Sequence, residues 1–361
     1  MLSRLFVFAI PAVSLLFVAR IVAAPVEITA PELRGAVQPQ VAVAPGGRIH
    51  VVFGKGNAIY HTASADGRSF SAMVKVAELK KLALGMRRGP RIVATDKIIA
   101  INAISQTGGD LDCWSSTDGG ATWKEGANIN NVPKSAREGL HAMAGDGQGN
   151  VFATWLDLRS GGAEMWGAAS RDGGATWGTN ALIYKSPDGH ICECCHPSVA
   201  MDAAGRVAVM WRNWLGGARD LYLATSSDRG KTFGAAQKLG QGTWKLNGCP
   251  MDGGAVTLTG AGQPLAVWRR ESTVFASETP RAERRLGDAA VQPVVAVGKG
   301  GAYLVWEKDG ALMLQRGISA PARFADKARA ASLATVPGRG VVAVWESSTT
   351  TPPALMAEII P

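Results

Sequence analysis

Long apolar segments are missing from this sequence after its first 24 residues, which excludes a membrane-spanning helix from the remaining chain. Helix-like periodicity is also scarce, so a mainly helical fold is not expected. No nucleic-acid-binding motif is present, and the basic clusters are scattered although the formal net charge is +9. We therefore expect no nucleic-acid partner. Cysteine and histidine are rare, with five of each among 361 residues, so any clustering of the two needs a specific explanation.

The first 24 residues have the features of an export leader. Arg4 gives a positive start, an apolar run follows, and Val22-Ala23-Ala24 supplies the small residues that a signal peptidase needs. The run is shorter than the ~20 residues of a spanning helix, and Pro11 interrupts it. We predict a signal peptide over residues 1–24, a single domain over 25–361, and a secreted or periplasmic monomer.

Short apolar segments between glycine and aspartate turns predict an all-β chain. One unit recurs seven times at steps of 39 to 57 residues, which is the size of a four-stranded propeller blade. Most second strands end in an aromatic residue that we expect to pack between blades. These residues are Phe53, Trp155, Trp211, Trp268, Trp306 and Trp345.

A turn sequence rich in serine, aspartate and glycine recurs at blade spacing. Three full copies run from Ser116 to Trp123, from Ser170 to Trp177 and from Ser226 to Phe233, and a shorter copy spans 64–70. Aspartate and serine can bond the turn backbone while glycine takes positive φ. These turns resemble the Asp-box, or BNR repeat, of the sialidase (neuraminidase) superfamily. The resemblance implies a β-propeller with the boxes opposite the catalytic face.

We predict an all-β, seven-bladed, sialidase-like β-propeller with four-stranded antiparallel blades. The resemblance to sialidases implies six blades, so a six-bladed ring is the alternative. The seventh unit, from Ala331, lacks a fourth strand. Val26 to Thr29 is a spare strand that we expect to close the ring and leave no exposed sheet edge.

Three of the five cysteines and two of the five histidines fall within seven residues, from His190 to His196. Residues that precede the strand-opening prolines should be equivalent in neighbouring blades. This equivalence predicts that His196 and Cys249 lie side by side at the axis, with Met251 and His141 nearby.

Three interpretations of this cluster are open. An oxidising compartment favours a disulfide between Cys249 and one cysteine of the cluster, with Cys113 as a buried thiol. A thiolate and imidazole site would instead suit copper or zinc. A c-type haem fits the spacing of a Cys-x-x-Cys-His motif but would displace the next blade, so it is disfavoured. The candidate metal ligands are Cys192, Cys194, Cys195, His196 and Cys249, supported by Met251 and His190.

The resemblance also implies an enzyme site in which three arginines hold the substrate carboxylate. Arg91, Arg212 and Arg269 lie near strand ends and are the candidate clamp, since guanidinium binds carboxylate with two parallel hydrogen bonds. Asp157 is the candidate acid. The Arg-Ile-Pro motif that opens sialidases is missing, and none of the four tyrosines has an obvious glutamate partner.

We therefore predict an exported propeller that binds a metal or works in redox chemistry through its Cys/His cluster. Two other functions are the alternatives. One is an exo-sialidase-like glycoside hydrolase acting on acidic glycans, and the other is a non-catalytic propeller that binds a small molecule, a glycan or a protein.

Overall fold

Strands dominate the computed structural model, which describes residues 24–280 and 282–361. They form seven four-stranded antiparallel sheets arranged as a seven-bladed β-propeller, so the predicted fold is confirmed and the six-bladed alternative is wrong. The helix found in the described residues is a single 3-10 turn, Pro31–Leu33. No helix in that part of the chain is long and apolar enough to cross a membrane. The predicted leader lies outside the described residues except for Ala24.

The strands follow the chain in blade order. The first strand, β1, is Val26–Glu27. Blade 1 contains β2 (Val37–Val43), β3 (Ile49–Lys55), β4 (Ala58–Ser64) and β5 (Val74–Glu78). Blade 2 contains β6 (Arg91–Ala94), β7 (Ile99–Ile104), β8 (Leu111–Ser116) and β9 (Lys124–Glu125). Blade 3 contains β10 (His141–Gly145), β11 (Val151–Asp157), β12 (Glu164–Ser170) and β13 (Ala181–Tyr184). Blade 4 contains β14 (Ser198–Met201), β15 (Val207–Arg212), β16 (Leu221–Ser226) and β17 (Gln237–Lys238).

The last three blades complete the ring. Blade 5 contains β18 (Ala255–Leu258), β19 (Pro264–Arg270), β20 (Thr273–Ser277) and β21 (Arg284–Asp288). Blade 6 contains β22 (Ala290–Gly298), β23 (Gly301–Lys308), β24 (Ala311–Arg316) and β25 (Ala322–Asp326). Blade 7 contains β26 (Ala328–Val336), β27 (Gly340–Ser347) and β28 (Ala354–Ile360), and β1 pairs with β28 as its fourth strand.

The first strands of the blades surround the axis, because each contacts the first strand of the next blade, from β2 round to β26 and back. The antiparallel order within a blade then divides the loops between two faces. The turns from first to second strand and from third to fourth strand lie on one face, which we call the box face. The loops from second to third strand and the connections between blades lie on the other, which we call the connection face.

The N-terminal strand closes the ring as predicted. Val26 pairs with Ala357, and the Ile28 N–H donates to the Leu355 carbonyl at 2.7 Å. The Ile28 side chain is buried in the core cluster that joins blades 7 and 1. Closure covers the edge of β28, which would otherwise expose unpaired backbone groups.

The Asp-boxes stabilise the turns on the box face. In the second blade the Asp118 carboxylate accepts hydrogen bonds from the Ser116 and Thr122 hydroxyls at 2.8 and 2.6 Å. Gly120 has φ of +95°, and a Cβ there would lie 2.2 Å from the ring of His61 in blade 1. Each box therefore shapes a turn and also allows close contact with the preceding blade.

The aromatic residues of the second strands form the packing between blades, as predicted. Trp155, Trp211, Trp268 and Trp306 are among the largest fully buried side chains of the described residues. Phe53 and Trp345 are buried with them. These side chains belong to the core, so they are not accessible as stacking platforms for a ligand.

Buried carboxylates anchor the bulges with which several inner strands begin. Gln38 and Gln292 both have positive φ, and the sheet register shifts next to each of them. The Gln38 N–H donates to the Glu346 carboxylate at 2.8 Å, and the Gln292 N–H donates to the Asp252 carboxylate at 2.7 Å. Acidic residues near the axis are thus already engaged by backbone donors.

A buried histidine pair in blade 1 is expected to make the propeller sensitive to acid. His50 Nδ1 and His61 Nε2 lie 3.1 Å apart, and burial lowers the pKa of His50 to about 4 and that of His61 to about 3. In the unfolded chain both histidines bind protons below about pH 6.5, whereas in the folded protein they stay neutral until the pH falls to about 4. Stability should therefore fall as the pH drops from about 6.5 towards 4, by up to about 1.4 kcal/mol per pH unit for each histidine.

Urea unfolding at pH 7, 6 and 5 measures this loss. His61→Gln should show a shallower pH dependence than the parent protein, because one protonation difference is removed. An equal slope in both proteins would contradict the assignment.

Candidate metal centre

The three clustered cysteines lie on the connection face, in the segment between β13 of blade 3 and β14 of blade 4. The Cys192 N–H donates to the carbonyl of Arg212, at the end of β15, at 3.1 Å. Pro197 follows the cluster and leads directly into the inner strand. Because both ends of the segment are fixed, Cys194 and Cys195 are held in a tight turn between the two blades.

The three sulfur atoms form a compact group that we call the sulfur triangle. The Cys192 Sγ lies 3.5 Å from that of Cys194 and 3.5 Å from that of Cys195, and the Cys194 and Cys195 sulfurs are 4.0 Å apart. All three are free thiols. Cys192 and Cys195 are each 1% exposed, whereas Cys194 is half-buried.

Arg219 brings positive charge to the sulfur triangle. Its Nη1 donates to Cys192 Sγ at 3.1 Å, and its Nε donates to the carbonyl of Leu246 at 3.2 Å. The guanidinium carbon lies 4.3 Å from the centre of the Trp214 ring, and His190 stacks on the same indole with the ring centres 5.8 Å apart. The arginine is therefore held in place on two sides.

The pKa values of the three thiols are shifted in different directions. Hydrogen bonds from Cys194 and Cys195, helped by the charge of Arg219, lower the pKa of the Cys192 thiol well below its usual range. The pKa of Cys194 is raised because its thiol donates to Cys192, and burial raises the pKa of Cys195. Of the three sulfurs, that of Cys192, which accepts from Arg219, is the one whose thiolate form is most favoured.

His196 contacts the next blade instead of the sulfur triangle. Its Nε2 lies 3.1 Å from the Gly254 carbonyl, and its Nδ1 accepts the Gly253 N–H at 3.3 Å. A Cβ on Gly253 would lie 1.7 Å from the carbonyl oxygen of His196, so only glycine fits. The inner strand of blade 5 begins at Ala255, and the predicted equivalence of His196 with Cys249 is therefore wrong.

The remaining candidate ligands stay outside the triangle. Cys249 and Met251 are exposed and lie in the long loop between β17 and β18. No other histidine, cysteine or acidic residue of the described chain joins the three sulfurs within 4.8 Å. Cys113 is buried in blade 2, as expected, where its Sγ donates to the Ala127 carbonyl at 3.1 Å. Burial raises the pKa of the Cys113 thiol to about 11.

Comparison with known proteins agrees with this architecture. Residues 91–259 match the BNR repeat-like domain family. The chain is a sialidase-like BNR-repeat β-propeller. No curated protein matches the sequence significantly.

Three solved structures illustrate how widely this propeller fold is shared. The α-L-arabinanase of Penicillium chrysogenum, complexed with arabinobiose, is 14% identical with a TM-score of 0.54 and covers 94% of this chain and 98% of its own. Virginiamycin B lyase from Staphylococcus aureus is 9% identical with a TM-score of 0.58, covering 93% and 99%. Aleuria aurantia lectin, complexed with α-methyl-L-fucoside, is 12% identical with a TM-score of 0.51, covering 80% and 94%. At these identities the similarity shows the fold alone.

Arg91 of this propeller, a candidate for the carboxylate clamp, is committed to the backbone. Its Nη1 donates to the carbonyls of Gly89 and Pro90 at 2.9 and 3.2 Å, and its Nη2 donates to the carbonyl of Arg87. The side chain is buried, and burial lowers the pKa of Arg91 to about 9. A carboxylate would have to compete with these bonds.

Arg212 is engaged in the same way. It is 1% exposed, and it donates twice to the Asp252 carbonyl, at 3.0 and 2.7 Å, and once to the Arg269 carbonyl at 2.9 Å. A fourth bond goes to the carbonyl of Arg219. Arg212 and Arg269 both lie 5.3 Å from the centre of the Trp244 ring. Arg212 therefore joins loops of blades 4 and 5.

Asp157, the candidate acid, is completely buried. Desolvation raises its pKa, but hydrogen bonds from Arg159, Ser135 and Trp155 outweigh this and leave the pKa below its usual value. The Arg159 Nη2 and the Ser135 hydroxyl reach the same carboxylate oxygen at 2.8 and 2.7 Å. A carboxylate held ionised in this way is poorly suited to donate a proton.

The sequence analysis did not identify Arg87 as an axial residue. Its Nη1 donates to the Ala331 carbonyl at 2.7 Å, its Nε donates to Gln292 Oε1 at 2.9 Å, and Glu307 lies 3.9 Å away. Arg87 has φ of +63° and helps to line an axial cavity of about 200 Å³. The Arg-Arg-Gly-Pro sequence that begins at Arg87 lies just before an inner strand, and this could have indicated that Arg87 is near the axis.

Proposed function

We propose that this propeller holds one thiophilic metal ion between Cys192, Cys194 and Cys195. The sulfur–sulfur distances of 3.5, 3.5 and 4.0 Å are the observation that supports the proposal. A metal–thiolate bond is about 2.3 Å long, so tetrahedral coordination spaces sulfurs by about 3.8 Å. A point equidistant from the three sulfurs lies about 2.1 Å from each, close to that bond length.

The surroundings of the triangle also support metal binding. Two of the sulfurs are buried, which protects them from solvent, while half-buried Cys194 gives an ion access. Arg219 contacts Cys192, and a nearby cation stabilises the thiolate form that binds metal.

The compartment is part of the proposal. The leader predicted over residues 1–24 would deliver the chain to the periplasm or the exterior, where a metal-binding or redox-linked protein meets oxidants. There a disulfide within the triangle is the competing state of the same sulfurs. Copper and zinc are the candidate ions because thiolates favour both.

We do not put forward the glycoside hydrolase. The arabinanase and the lectin are complexed with carbohydrate ligands, so a glycan partner is compatible with the fold. However, Arg91 and Arg212 donate to backbone carbonyls, and the Asp157 carboxylate accepts hydrogen bonds from three residues. These contacts give Arg91, Arg212 and Asp157 structural roles and do not support hydrolysis of an acidic glycan.

Titration of the fully reduced mature protein with copper(I) and with zinc tests the proposal. One equivalent of at least one of the two metals should bind. Cys195→Ser should weaken binding by about 100-fold or more, because loss of a residue that only supports a ligand already lowers metal affinity by about 10- to 100-fold. Cys113→Ser is the matched control, because that thiol is also buried but lies in blade 2, and it should leave the affinity unchanged. If neither metal binds, or if Cys195→Ser binds like the parent, the proposal is wrong.

A further inference from the structure

We infer that the ion is copper(I), held by three sulfurs without a fourth protein ligand, and that Arg219 is the positioning residue of the site. This inference rests on the proposed function and makes it specific. It follows from the number of ligands, from the charge that they would carry, and from the fixed position of one arginine.

The ligand count separates the two candidate metals. In the described chain no further histidine, cysteine or acidic ligand atom lies within 4.8 Å of all three sulfurs. Both nitrogens of His196 are engaged by Gly253 and Gly254, and Cys249 is exposed. Thiolates bind both metals, but zinc on these three sulfurs would need a fourth ligand, as in catalytic zinc sites that add a water, whereas copper(I), a closed-shell ion, accepts three ligands in a plane. The site therefore suits copper(I) better than zinc.

The charge of the bound site requires compensation. Three thiolates around a monovalent ion carry a net charge of −2, and burying that charge without a partner is costly. The Arg219 guanidinium donates to Cys192 Sγ at 3.1 Å. It is the group best placed to offset the charge and to orient the first ligand.

The position of Arg219 is fixed before any ion arrives. Stacking on Trp214 and the bond from its Nε to the Leu246 carbonyl hold the guanidinium plane next to the sulfur triangle. The backbone beside it is also paired, since the Arg219 N–H donates to the Trp244 carbonyl at 2.8 Å. A purely structural Arg219 would make the same contacts and would only hold the loop around Trp244. Variants of Arg219 that differ in charge distinguish this role from compensation of the charge on the thiolates.

Chelator competition on the reduced full mature chain, followed by copper–thiolate absorption and emission, tests the inference. Arg219→Gln should weaken copper(I) binding by about 10- to 100-fold and shift the absorption band, as loss of a supporting residue does. Arg219→Lys should recover part of the affinity because it restores the charge. Arg316→Gln is the matched control, since Arg316 of blade 6 also lies over an aromatic ring, that of Tyr303, and donates to a main-chain oxygen, that of the C-terminal Pro361 at 2.9 Å. It should leave copper affinity unchanged.

The outcomes also separate this inference from the proposed function. Cys249→Ser should leave copper(I) affinity unchanged, and zinc should bind more weakly than copper(I). If zinc binds more tightly and Cys249→Ser abolishes that binding, the site is four-coordinate and the inference is wrong, although a metal site at the triangle stands. If Arg219→Gln matches Arg316→Gln in affinity and spectrum, Arg219 is not the positioning residue. If neither metal binds the parent protein, the proposed function itself fails.

Discussion

Removal of residues 26–29 from a chain that begins at residue 25 is expected to destabilise the whole propeller by at least about 3 kcal/mol. The deletion removes buried Ile28 from the core between blades 7 and 1 and breaks the pairing of Val26 with Ala357. It also removes the Thr29 hydroxyl, which accepts the Leu355 N–H at 3.1 Å. The edge of β28 is then exposed to solvent and to other chains, so aggregation should accompany the loss.

Thermal melting of chains that begin at residue 25 and at residue 30 measures the effect. We expect the shorter chain to melt at least about 5 °C lower, because a few kcal/mol shift the midpoint of a large domain by several degrees. Glu32→Ala in the longer chain is the control, since Glu32 lies in the adjacent 3-10 turn and is exposed. Equal melting temperatures of the two chains would show that β1 does not close the ring.

Replacement of Arg212 by methionine should cost about 3–5 kcal/mol, since it leaves several buried carbonyls without their donor. The Asp252 and Arg269 carbonyls would lose bonds of 2.7 to 3.0 Å between blades 4 and 5. Arg269→Met is the matched control, because Arg269 is partly exposed and its side chain donates to the carbonyl of Glu271, two residues along the same chain segment. It should cost less than half as much.

Denaturant unfolding of both arginine variants decides the role of Arg212. A large loss confined to Arg212→Met would identify it as a structural link between blades. If Arg212→Met unfolds like the parent protein, the guanidinium is not needed for folding. It would then be available for a ligand, as the carboxylate-clamp hypothesis requires.

The fold could be predicted from the sequence because each blade repeats the same local chemistry. The Asp-box from Ser116 to Trp123 specifies its turn through its own serine, aspartate and glycine, with little help from distant residues. The spare strand at Val26 was recognisable because the last unit was one strand short. Period, turn chemistry and strand count all indicated the same closed ring.

The site was only partly predictable. The density of cysteines identified the three sulfurs, but the position of Cys249 was wrong because an X-Pro pair does not fix where a strand begins. Blade 5 instead inserts Asp252, whose carboxylate binds the Gln292 N–H, and two glycines that pack against His196. That glycine pair could have indicated that this segment packs closely against the backbone of the neighbouring blade.

Arg219 was missed for a different reason. It lies in the loop between the second and third strands of blade 4, and its contact with Cys192 depends on how that loop meets the segment before β14. Sequence spacing contains no information about such a contact. Only the shared face was predictable, because both segments lie on the connection face.

X-ray absorption spectroscopy at the metal edge tests the central claim most directly, using a chain that begins at residue 25, purified under reducing conditions and loaded with one equivalent of copper(I). The account predicts three sulfur neighbours at about 2.3 Å, the length of a metal–thiolate bond. It also predicts that Cys195→Ser lowers the number of sulfur neighbours. A spectrum dominated by nitrogen or oxygen neighbours, or one that Cys195→Ser leaves unchanged, would contradict a metal centre at the sulfur triangle.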